Sequence, residues 1–300
     1  MISLGIDLGG TQIKYGLVED GKILDCGICD TRLEEGYQAV VHRMADCAKS
    51  FLRGAEAEFV GIASPGLVDT YQGVVRYSNN FGWHNVPLAK DLSDCLELPA
   101  RIANDAQCAA LGEALYGAGK GIPRMAMLTI GTGVGGGFVR DGQLETDGYG
   151  SMAYIFGHCV IAHDGKLCNC GQRGCLETYA SATAIARRGE QVFEGSKNVR
   201  QIFELARAGD KVAQGVLREF LEYLTVGVVN VANILRPQVI VIGGGVSASG
   251  DLILSAVNQG LENGVYGYEY APVRAVCARL GNQAGIVGLS LIHISEPTRH

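Results

Sequence analysis

The 300 residues of this chain are enough for one large domain or for two medium-sized domains, each with its own hydrophobic core. The formal net charge of -6 argues against nucleic acid or an anionic membrane surface as the partner, because both attract basic proteins. Ten cysteines, in a chain that reads without a signal peptide or a membrane-spanning apolar run, predict a cytoplasmic protein with free or metal-bound thiols.

The first third of the chain predicts an α/β arrangement that begins with a β-hairpin. Residues 2–8 form an apolar strand, and after the turn Gly9-Gly10-Thr11 the returning strand at residues 13–18 alternates apolar and polar positions. Further strands are expected at 22–29, 58–63 and 100–103, and helices at 37–52, 88–96 and 106–116. The pair Cys26 and Cys29 falls inside a predicted strand, so we interpret it as strand and not as a redox or metal site.

The opening pattern recurs near the middle of the chain. Strands are expected at 124–130 and 136–140 around Gly131-Thr132-Gly133, at 239–242, and helices at 182–193, 199–208, 211–235 and from about 251. This recurrence predicts two domains of similar plan, residues 1–116 and 117–289, with the closing helix of the second packed back on the first. Residues 290–300 lack periodicity and resemble a vector-derived tail.

Four potential metal ligands lie close together after the second hairpin: His158, Cys168, Cys170 and Cys175. Three thiolates and one imidazole are the ligand set of a closed, tetrahedral structural zinc site. The alternative is a group of buried or disulfide-bonded cysteines, but half-cystines two residues apart rarely bridge each other. Composition and spacing therefore favour a bound Zn²⁺.

The first glycine turn carries groups that suit a phosphate and its metal ion. Gly9 and Gly10 let backbone N–H groups approach phosphate oxygens, Thr11 adds a hydroxyl donor and Lys14 a positive charge. Asp7 is suited to hold Mg²⁺ through water, because hard cations prefer carboxylate oxygens. Taken alone, the turn is also compatible with an ordinary Gly-Gly turn.

The second turn matches the dinucleotide-binding pattern GxGxxG at Gly131, Gly133 and Gly136. That pattern must open a helix, whereas residues 136–140 continue as a strand, so we do not interpret it as a nicotinamide site. A third turn, at residues 243–245, follows an apolar strand and precedes a helix. It suits either close passage of the backbone beside an adenine ring or a plain strand-to-helix connection.

An Asn-Asp pair stands where an apolar strand ends and a helix begins. Asn104 and Asp105 both fit a helix N-cap, which is the structural interpretation. The functional interpretation makes Asp105 a general base, presented at the carboxyl edge of a strand where open α/β sheets bind ligands. The residues by themselves leave both interpretations open.

Together these features resemble the ROK family of sugar kinases, most specifically from Cys168 to Glu177. The resemblance implies a two-domain α/β fold of the actin-like ATPase, ribonuclease H-like type, with a cleft between the domains and a zinc-pinned loop. It implies an ATP- and Mg²⁺-dependent kinase that phosphorylates a hexose, most simply glucose at the 6-hydroxyl. Its partners would be the sugar and ATP, in a homodimer.

The resemblance also implies roles for individual residues, with Asp105 as the general base. The residues expected to bind the sugar are Gly66, Asn79, Asn104, Asp105, His158 and Glu177. The residues expected to bind the nucleotide or its Mg²⁺ are Asp7, Gly9, Gly10, Thr11, Lys14, Thr132, Gly133, Gly244 and Gly245. The zinc would hold one ring nitrogen of His158 and leave the other for the sugar.

One short stretch departs from the family pattern. The family usually reads Gly-Glu-x-Gly-His before the first zinc ligand, whereas this chain has Tyr154 and Ile155 in the first two of these positions. Ile155 cannot accept a hydrogen bond, and a lost bond of this kind costs about 1–3 kcal/mol. Two alternatives therefore remain: a kinase for fructose, allose, N-acetylglucosamine or N-acetylmannosamine, and a non-catalytic sugar-binding or regulatory ROK protein.

Overall fold

The computed structural model describes residues 2–52, 57–147 and 154–290. The chain divides into two compact units: unit 1 is Met1–Gly117, Gly142–Tyr154 and Asn282–His300, and unit 2 is Ala118–Asp141 and Ile155–Gly281. The predicted linear division at residue 116 differs from this in two segments, because the chain returns to unit 1 after Asp141 and again after Gly281. Apart from Ser290, the predicted tail at 290–300 lies outside the described residues.

Unit 1 is built on a five-stranded sheet that contains the predicted opening hairpin. In their order across the sheet, the strands are β3 (Lys22–Asp30), β2 (Gln12–Glu19), β1 (Ile2–Leu8), β4 (Phe59–Ser64) and β8 (Ala100–Asn104). The first three pair antiparallel, and β4 and β8 join in parallel. The interpretation of Cys26 and Cys29 as part of a strand is confirmed, because both lie within β3.

The helices of unit 1 cover both faces of this sheet. They are α1 (Tyr37–Phe51), α2 (Leu88–Leu96), α3 (Asp105–Tyr116) and α9 (Ala284–Leu289). Apolar residues of α1 and α2 share a buried cluster with β1 and β2, while Leu289 of α9 is buried with Cys108 of α3 on the other face. The approach of α9 to α3 is close, since a Cβ at Gly288 would lie 1.8 Å from the carbonyl oxygen of Cys108.

Short strands complete unit 1. Three of them, β5 (Leu67–Asp69), β6 (Val74–Ser78) and β7 (Trp83–Val86), form a separate antiparallel sheet that the sequence pattern did not predict. A fourth, β11, spans Gln143–Leu144. Strands of three to five residues are too short to show a reliable alternation of apolar and polar positions.

Unit 2 repeats the plan of a hairpin followed by parallel strands. Its strands are β10 (Val134–Arg140), β9 (Arg124–Ile130), β12 (Val239–Gly243) and β13 (Arg274–Cys277), with β9 and β10 antiparallel and the others parallel. Its helices are α4 (Glu177–Ala180), α5 (Ala182–Val192), α6 (Val199–Arg207), α7 (Lys211–Leu235) and α8 (Gly250–Gly264). Among the described residues, no helix has both the length and the apolar character to span a bilayer.

Each unit brings its glycine turns to the carboxyl ends of its parallel strands. In unit 1, Asp7 lies beside Ala63, and Ser64 lies beside Asn104, so the ends of β1, β4 and β8 are aligned. In unit 2, Gly243 at the end of β12 lies beside Thr129 of β9. Ligands of open α/β sheets bind at this edge, so the fold places the candidate residues where a site is expected.

Candidate functional site

The first glycine turn, between β1 and β2, is held by Thr31. The buried Thr31 donates its backbone N–H to the carbonyl oxygen of Thr11 (2.9 Å) and its hydroxyl to that of Gly9 (2.7 Å). Gly9 also donates its N–H to the carbonyl oxygen of Gln12 (3.0 Å). Gly10 and Thr11 are exposed at the tip, so the turn presents backbone N–H groups and a hydroxyl on a fixed frame.

Lys14 lies beside Asp7 and not at the tip of the turn. The two residues are opposite each other across β1 and β2, and Lys14 Nζ is 3.6 Å from Asp7 Oδ2. Burial raises the pKa of the Asp7 carboxyl, and the positive charge of Lys14 opposes that shift. The charge of Lys14 is therefore shared with Asp7, and a cation held by Asp7 would compete with it.

Asn104 caps helix α3, as the structural interpretation of the Asn-Asp pair proposed. Its Oδ1 accepts hydrogen bonds from the backbone N–H groups of Ala106 (3.0 Å) and Gln107 (3.3 Å). Its Nδ2 donates to the carbonyl oxygen of Gly66 (3.1 Å). The Asn104 side chain also hydrogen-bonds to the Asp105 carboxyl, so the cap ties the start of α3 to the loop of Gly66 and to the candidate base.

Asp105 begins α3 at the carboxyl end of β8. Its Oδ1 accepts a hydrogen bond from the N–H of Ala106 (2.8 Å), and its side chain remains exposed to solvent. The protein around it nevertheless desolvates the carboxylate and, together with the negative charge of Asp7, raises the pKa of Asp105. An accessible carboxylate with a raised pKa is a stronger base than an ordinary aspartate, so it is suited to accept a proton.

Gly66 and Asn79 lie on loops beside the first turn. Gly66 has φ +104°, and a Cβ there would lie 2.3 Å from the carbonyl oxygen of Tyr77, so only glycine fits. Asn79 is exposed and accepts a hydrogen bond from the hydroxyl of Tyr77 (3.1 Å). The ring of Phe81, in the loop of Asn79, approaches the Cβ position of Gly10 to 3.8 Å. In unit 1 the structure thus brings the predicted residues to one edge of the sheet.

The second glycine turn, between β9 and β10, lies beside the third. Its strand β10 continues directly after the turn, which agrees with our rejection of a nicotinamide site. Gly244 has φ +85°, and a Cβ there would lie 2.4 Å from the carbonyl oxygen of Ile130 at the end of β9. Thr132 is exposed at the tip of the second turn and Gly245 at the third. The predicted nucleotide residues of unit 2 are therefore neighbours.

The four predicted metal ligands converge in unit 2. Their ligand atoms all lie within 4.8 Å of one another, with Cys170 Sγ 3.7 Å from Cys175 Sγ and Cys168 Sγ 3.7 Å from His158 Nδ1. Two sulfurs on a tetrahedral ion with Zn–S bonds of about 2.3 Å would be about 3.8 Å apart. The donor set and its spacing thus fit a tetrahedral metal site.

Two of these thiols ionise less readily than an ordinary cysteine. Burial raises the pKa of Cys175 to about 12, and it also raises the pKa of Cys168. Only the thiolate binds a metal ion, so metal binding here would release protons and would weaken at low pH.

Tyr154 and Ile155 occupy a constrained piece of backbone ahead of His158. Tyr154 has φ +63°, a left-handed conformation that favours glycine, and its hydroxyl donates a hydrogen bond to Glu145. Ile155 begins the described part of unit 2 that leads to the metal loop, and its side chain is 40% exposed. An exposed aliphatic side chain three residues before a metal ligand offers no hydrogen bond to a sugar.

The sequence pattern did not indicate two residues that shape the turns. Thr31 holds the first turn from the end of β3, and Thr183 donates its hydroxyl to the carbonyl oxygen of Thr132 in the second (2.7 Å). Both bonds join residues distant in sequence, and a single threonine carries no motif. The only available signal was position, since Thr31 follows a predicted strand and Thr183 lies in the first turn of a predicted helix.

Comparison with known proteins agrees with these features over nearly the whole chain. The sequence model of the ROK family matches residues 3–296. A glucokinase from Thermotoga maritima is 38% identical over 307 aligned residues, covering 96% of each chain. An N-acetyl-D-glucosamine kinase from Salmonella arizonae is 31% identical over 303 residues, covering 97% of this chain and 99% of the relative.

A solved structure gives the same result. The crystal structure of a ROK family glucokinase from Streptomyces griseus, in complex with glucose and AMPPNP, is similar with a TM-score of 0.84 and 32% identity, covering 96% of this chain and 98% of that one. The α/β fold is thus that of the ROK kinases, an actin-like ATPase fold. The chain belongs to the ROK family, as one of its sugar kinases.

Proposed function

We propose that this chain transfers the terminal phosphoryl group of ATP to a hexose, with the 6-hydroxyl of glucose as the first candidate and Asp105 as general base. The observation that carries the proposal is the accessible Asp105 carboxylate with a raised pKa at the carboxyl end of β8. The 38% identity to a glucokinase supports glucose over other hexoses.

In this proposal the sugar hydroxyl gives its proton to Asp105 as it attacks the phosphorus atom. The raised pKa makes the ionised Asp105 carboxylate a better proton acceptor, and a positioned general base contributes about 10²- to 10⁴-fold. In unit 1 we also assign sugar contacts to Asn104, which holds the loop of Gly66 beside Asp105, and to Gly66 and Asn79 on the adjoining loops. We assign further sugar contacts to His158 and Glu177 of unit 2.

The glycine turns are assigned to the nucleotide. In the first, the N–H of Gly10 and the hydroxyl of Thr11 would receive phosphate oxygens, while Gly9, whose N–H bonds the carbonyl oxygen of Gln12, would let the turn approach the phosphate closely. In the second turn, Thr132 and Gly133 would receive phosphate oxygens in the same way. We assign Gly244 and Gly245 to the contact between the backbone and the adenine ring of the nucleotide. Positioning and neutralisation of phosphate charge account for most of the catalysis in such transfers.

Asp7 is the residue that would hold Mg²⁺. Its carboxylate is partly buried and offers oxygen ligands, which suit a hard cation that retains water ligands. When bound, Mg²⁺ supplies charge neutralisation at the phosphates. Lys14 forms an ion pair with the Asp7 carboxylate, so its positive charge would partly neutralise Asp7 before the nucleotide and its Mg²⁺ bind.

Zn²⁺ is the metal that we propose for His158 and the three cysteines, in a structural role. A closed set of four ligands leaves no open position for chemistry on the ion. His158 presents Nδ1 to the cluster, so its Nε2 is left for a hydrogen bond outside it. The ion would fix the direction of that imidazole.

A second candidate function is a kinase for another sugar, favoured by Ile155. The side chain cannot bond a sugar hydroxyl, and a relative with 31% identity is an N-acetyl-D-glucosamine kinase. Fructose, allose and N-acetylmannosamine remain further alternatives, as does a sugar-binding role without catalysis. The homodimer stays a prediction.

The deciding experiment is an ADP-release assay with ATP and Mg²⁺ across glucose, fructose, allose, N-acetylglucosamine and N-acetylmannosamine. Asp105→Ala is measured in parallel, with zinc content and folding verified for both proteins. We expect turnover of one sugar that the substitution abolishes. A folded, zinc-loaded chain that turns over none of these sugars would contradict the kinase proposal, and unchanged turnover in Asp105→Ala would contradict the assigned base.

A further inference from the structure

We propose that Glu177 is a positioning residue for the nucleotide: its carboxylate holds the second glycine turn, residues 131–134, in the conformation that receives phosphate. This role is additional to the sugar contact assigned to Glu177 above. The inference rests on the proposed function, because the turn receives phosphate only if the chain uses a nucleotide.

The contact between Glu177 and the turn is direct. The backbone N–H of Val134, the first residue of β10, donates to Glu177 Oε2 at 2.9 Å. A Cβ at Gly133 would lie 2.2 Å from the same oxygen. A side chain at position 133 would therefore have to displace the carboxylate from its contact with the turn. Hydrogen bonds to an ionised acceptor are stronger than neutral ones, so this bond is a firm attachment.

Glu177 is itself fixed by the metal loop and by α7. It begins α4, two residues after the buried Cys175 of the metal cluster. Leu176 donates its N–H to the carbonyl oxygen of Cys159 (2.9 Å), and its side chain occupies the space where Gly227 of α7 lacks a Cβ. Since Cys175 and Leu176, the two residues before Glu177, are both anchored, the backbone of Glu177 is held close to the turn that its carboxylate contacts.

The segment after α4 makes two more bonds to the turn. Ala182 donates its N–H to the carbonyl oxygen of Gly131 (2.8 Å), and Thr183 donates its hydroxyl to that of Thr132 (2.7 Å). Because a peptide group is planar and trans, a carbonyl fixed on one side directs the N–H of the following residue to the opposite side. The two bonds thus aim the N–H groups of Thr132 and Gly133 away from α5, as a pair of donors for an anion.

Two substitutions at Glu177 distinguish the effect of its hydrogen bond to the turn from the effect of its charge on nucleotide affinity. Glu177→Ala removes the acceptor, so we expect binding of AMPPNP with Mg²⁺, measured by calorimetry without sugar, to weaken about tenfold. Glu177→Gln keeps an oxygen acceptor for Val134 and loses only the charge. We expect its affinity for the nucleotide to stay within about threefold of wild type.

Two threonines of the same region provide a matched pair. Thr183→Val removes the hydroxyl bond to the turn and should weaken nucleotide binding several-fold. Thr178→Val makes the same chemical change in α4, where the hydroxyl donates to the carbonyl oxygen of Cys175 and not to the turn. It should leave nucleotide affinity unchanged. Zinc content and thermal unfolding are measured for every variant.

The outcomes are distinguishable. Wild-type nucleotide affinity in a folded, zinc-loaded Glu177→Ala protein overturns the inference, and so does an equal loss in the Ala and Gln variants, because charge would then be responsible. If Glu177→Ala does not fold, Thr183→Val decides: weakened binding supports the inference and unchanged binding overturns it. A wild-type protein that binds no nucleotide overturns the proposed function itself.

Discussion

Asp7 raises the pKa of Asp105 through its negative charge, although the two residues are far apart in sequence. Asp7 lies near the end of β1 and Asp105 directly after β8, and the parallel pairing through β4 brings these strand ends to one edge. Desolvation of the carboxylate by the surrounding protein is the larger cause of the raised pKa of Asp105, and the charge of Asp7 adds to it. The proposed base and the candidate Mg²⁺ ligand are therefore electrostatically coupled, so a change in one alters the other.

This coupling predicts the pH dependence of activity. If Asp105 is the base, it must be ionised, so kcat/KM should fall at low pH through a pKa above the ordinary aspartate value of about 3.9. Asp7→Asn removes a negative charge and should move this acid limb to lower pH. Lys14→Gln leaves the charge of Asp7 uncompensated and should move it to higher pH. Shifts in the same direction for both variants would contradict the coupling.

Asp105→Asn separates catalysis from stability. We expect activity to fall by about 10²- to 10⁴-fold, because the amide cannot accept the proton. A carboxyl with a raised folded-state pKa stabilises the folded protein below its unfolded pKa and loses that contribution as pH rises through its folded pKa. The neutral Asn keeps an acceptor for the N–H of Ala106 and avoids this loss.

Thermal unfolding tests the second half of that prediction. The Tm of Asp105→Asn should be equal to or higher than wild type near neutral pH, and the difference should shrink as the pH approaches the ordinary aspartate range. The prediction fails if the Tm of Asp105→Asn minus the Tm of wild type is smaller at neutral pH than in acid, and such a result would contradict the raised pKa of Asp105.

The long elements were predictable because their signals are local. Helix α7 was predicted at residues 211–235 and lies there, with Asp210 as the N-cap and Arg236 in a left-handed conformation after its end. Strand β1 likewise has the predicted bounds. In both, a continuous apolar pattern runs between clear breaks in the sequence.

The parts that the sequence did not predict depend on distant partners. Thr31 meets Gly9 across 22 positions and Thr183 meets Thr132 across 51, so neither bond leaves a local pattern. The bond between Glu177 and the N–H of Val134 spans 43 positions. The residue types of the site were indicated by motifs, but the residues that hold those motifs became visible only in the fold.

Removing the metal should destabilise unit 2. We expect about one Zn²⁺ per chain, and a chelator should release it and lower Tm. Cys170→Ser removes a ligand and should reproduce this loss, whereas Cys26→Ser changes another exposed thiol, in β3, and should keep both zinc and Tm. Elemental analysis and thermal unfolding check both variants, and a Cys170→Ser protein with full zinc content would contradict the ligand assignment.

Gly66 should be intolerant of any side chain. Gly66→Ala would place a Cβ 2.3 Å from the carbonyl oxygen of Tyr77 at φ +104°, so the loop must shift or the protein unfolds more readily. We expect a loss of about 1–3 kcal/mol in the free energy of unfolding. Gly82→Ala is the control, because Gly82 also has positive φ but has open space around its Cβ position. Equal losses in the two variants would show that backbone strain alone, and not the contact with Tyr77, is responsible.

Ile155→Glu should improve the use of the sugar. The substitution offers a carboxylate acceptor at an exposed position, and one hydrogen bond of about 1–3 kcal/mol corresponds to a gain of roughly 5- to 150-fold in kcat/KM. The gain should appear for glucose and leave the KM for ATP unchanged, since the glycine turns are untouched. Ile155→Gln, which offers a neutral acceptor, should recover part of it. If the kcat/KM of Ile155→Glu for glucose falls while another sugar remains a good substrate of the wild type, Ile155 is a determinant of specificity for that sugar, and glucose is not the substrate of this chain.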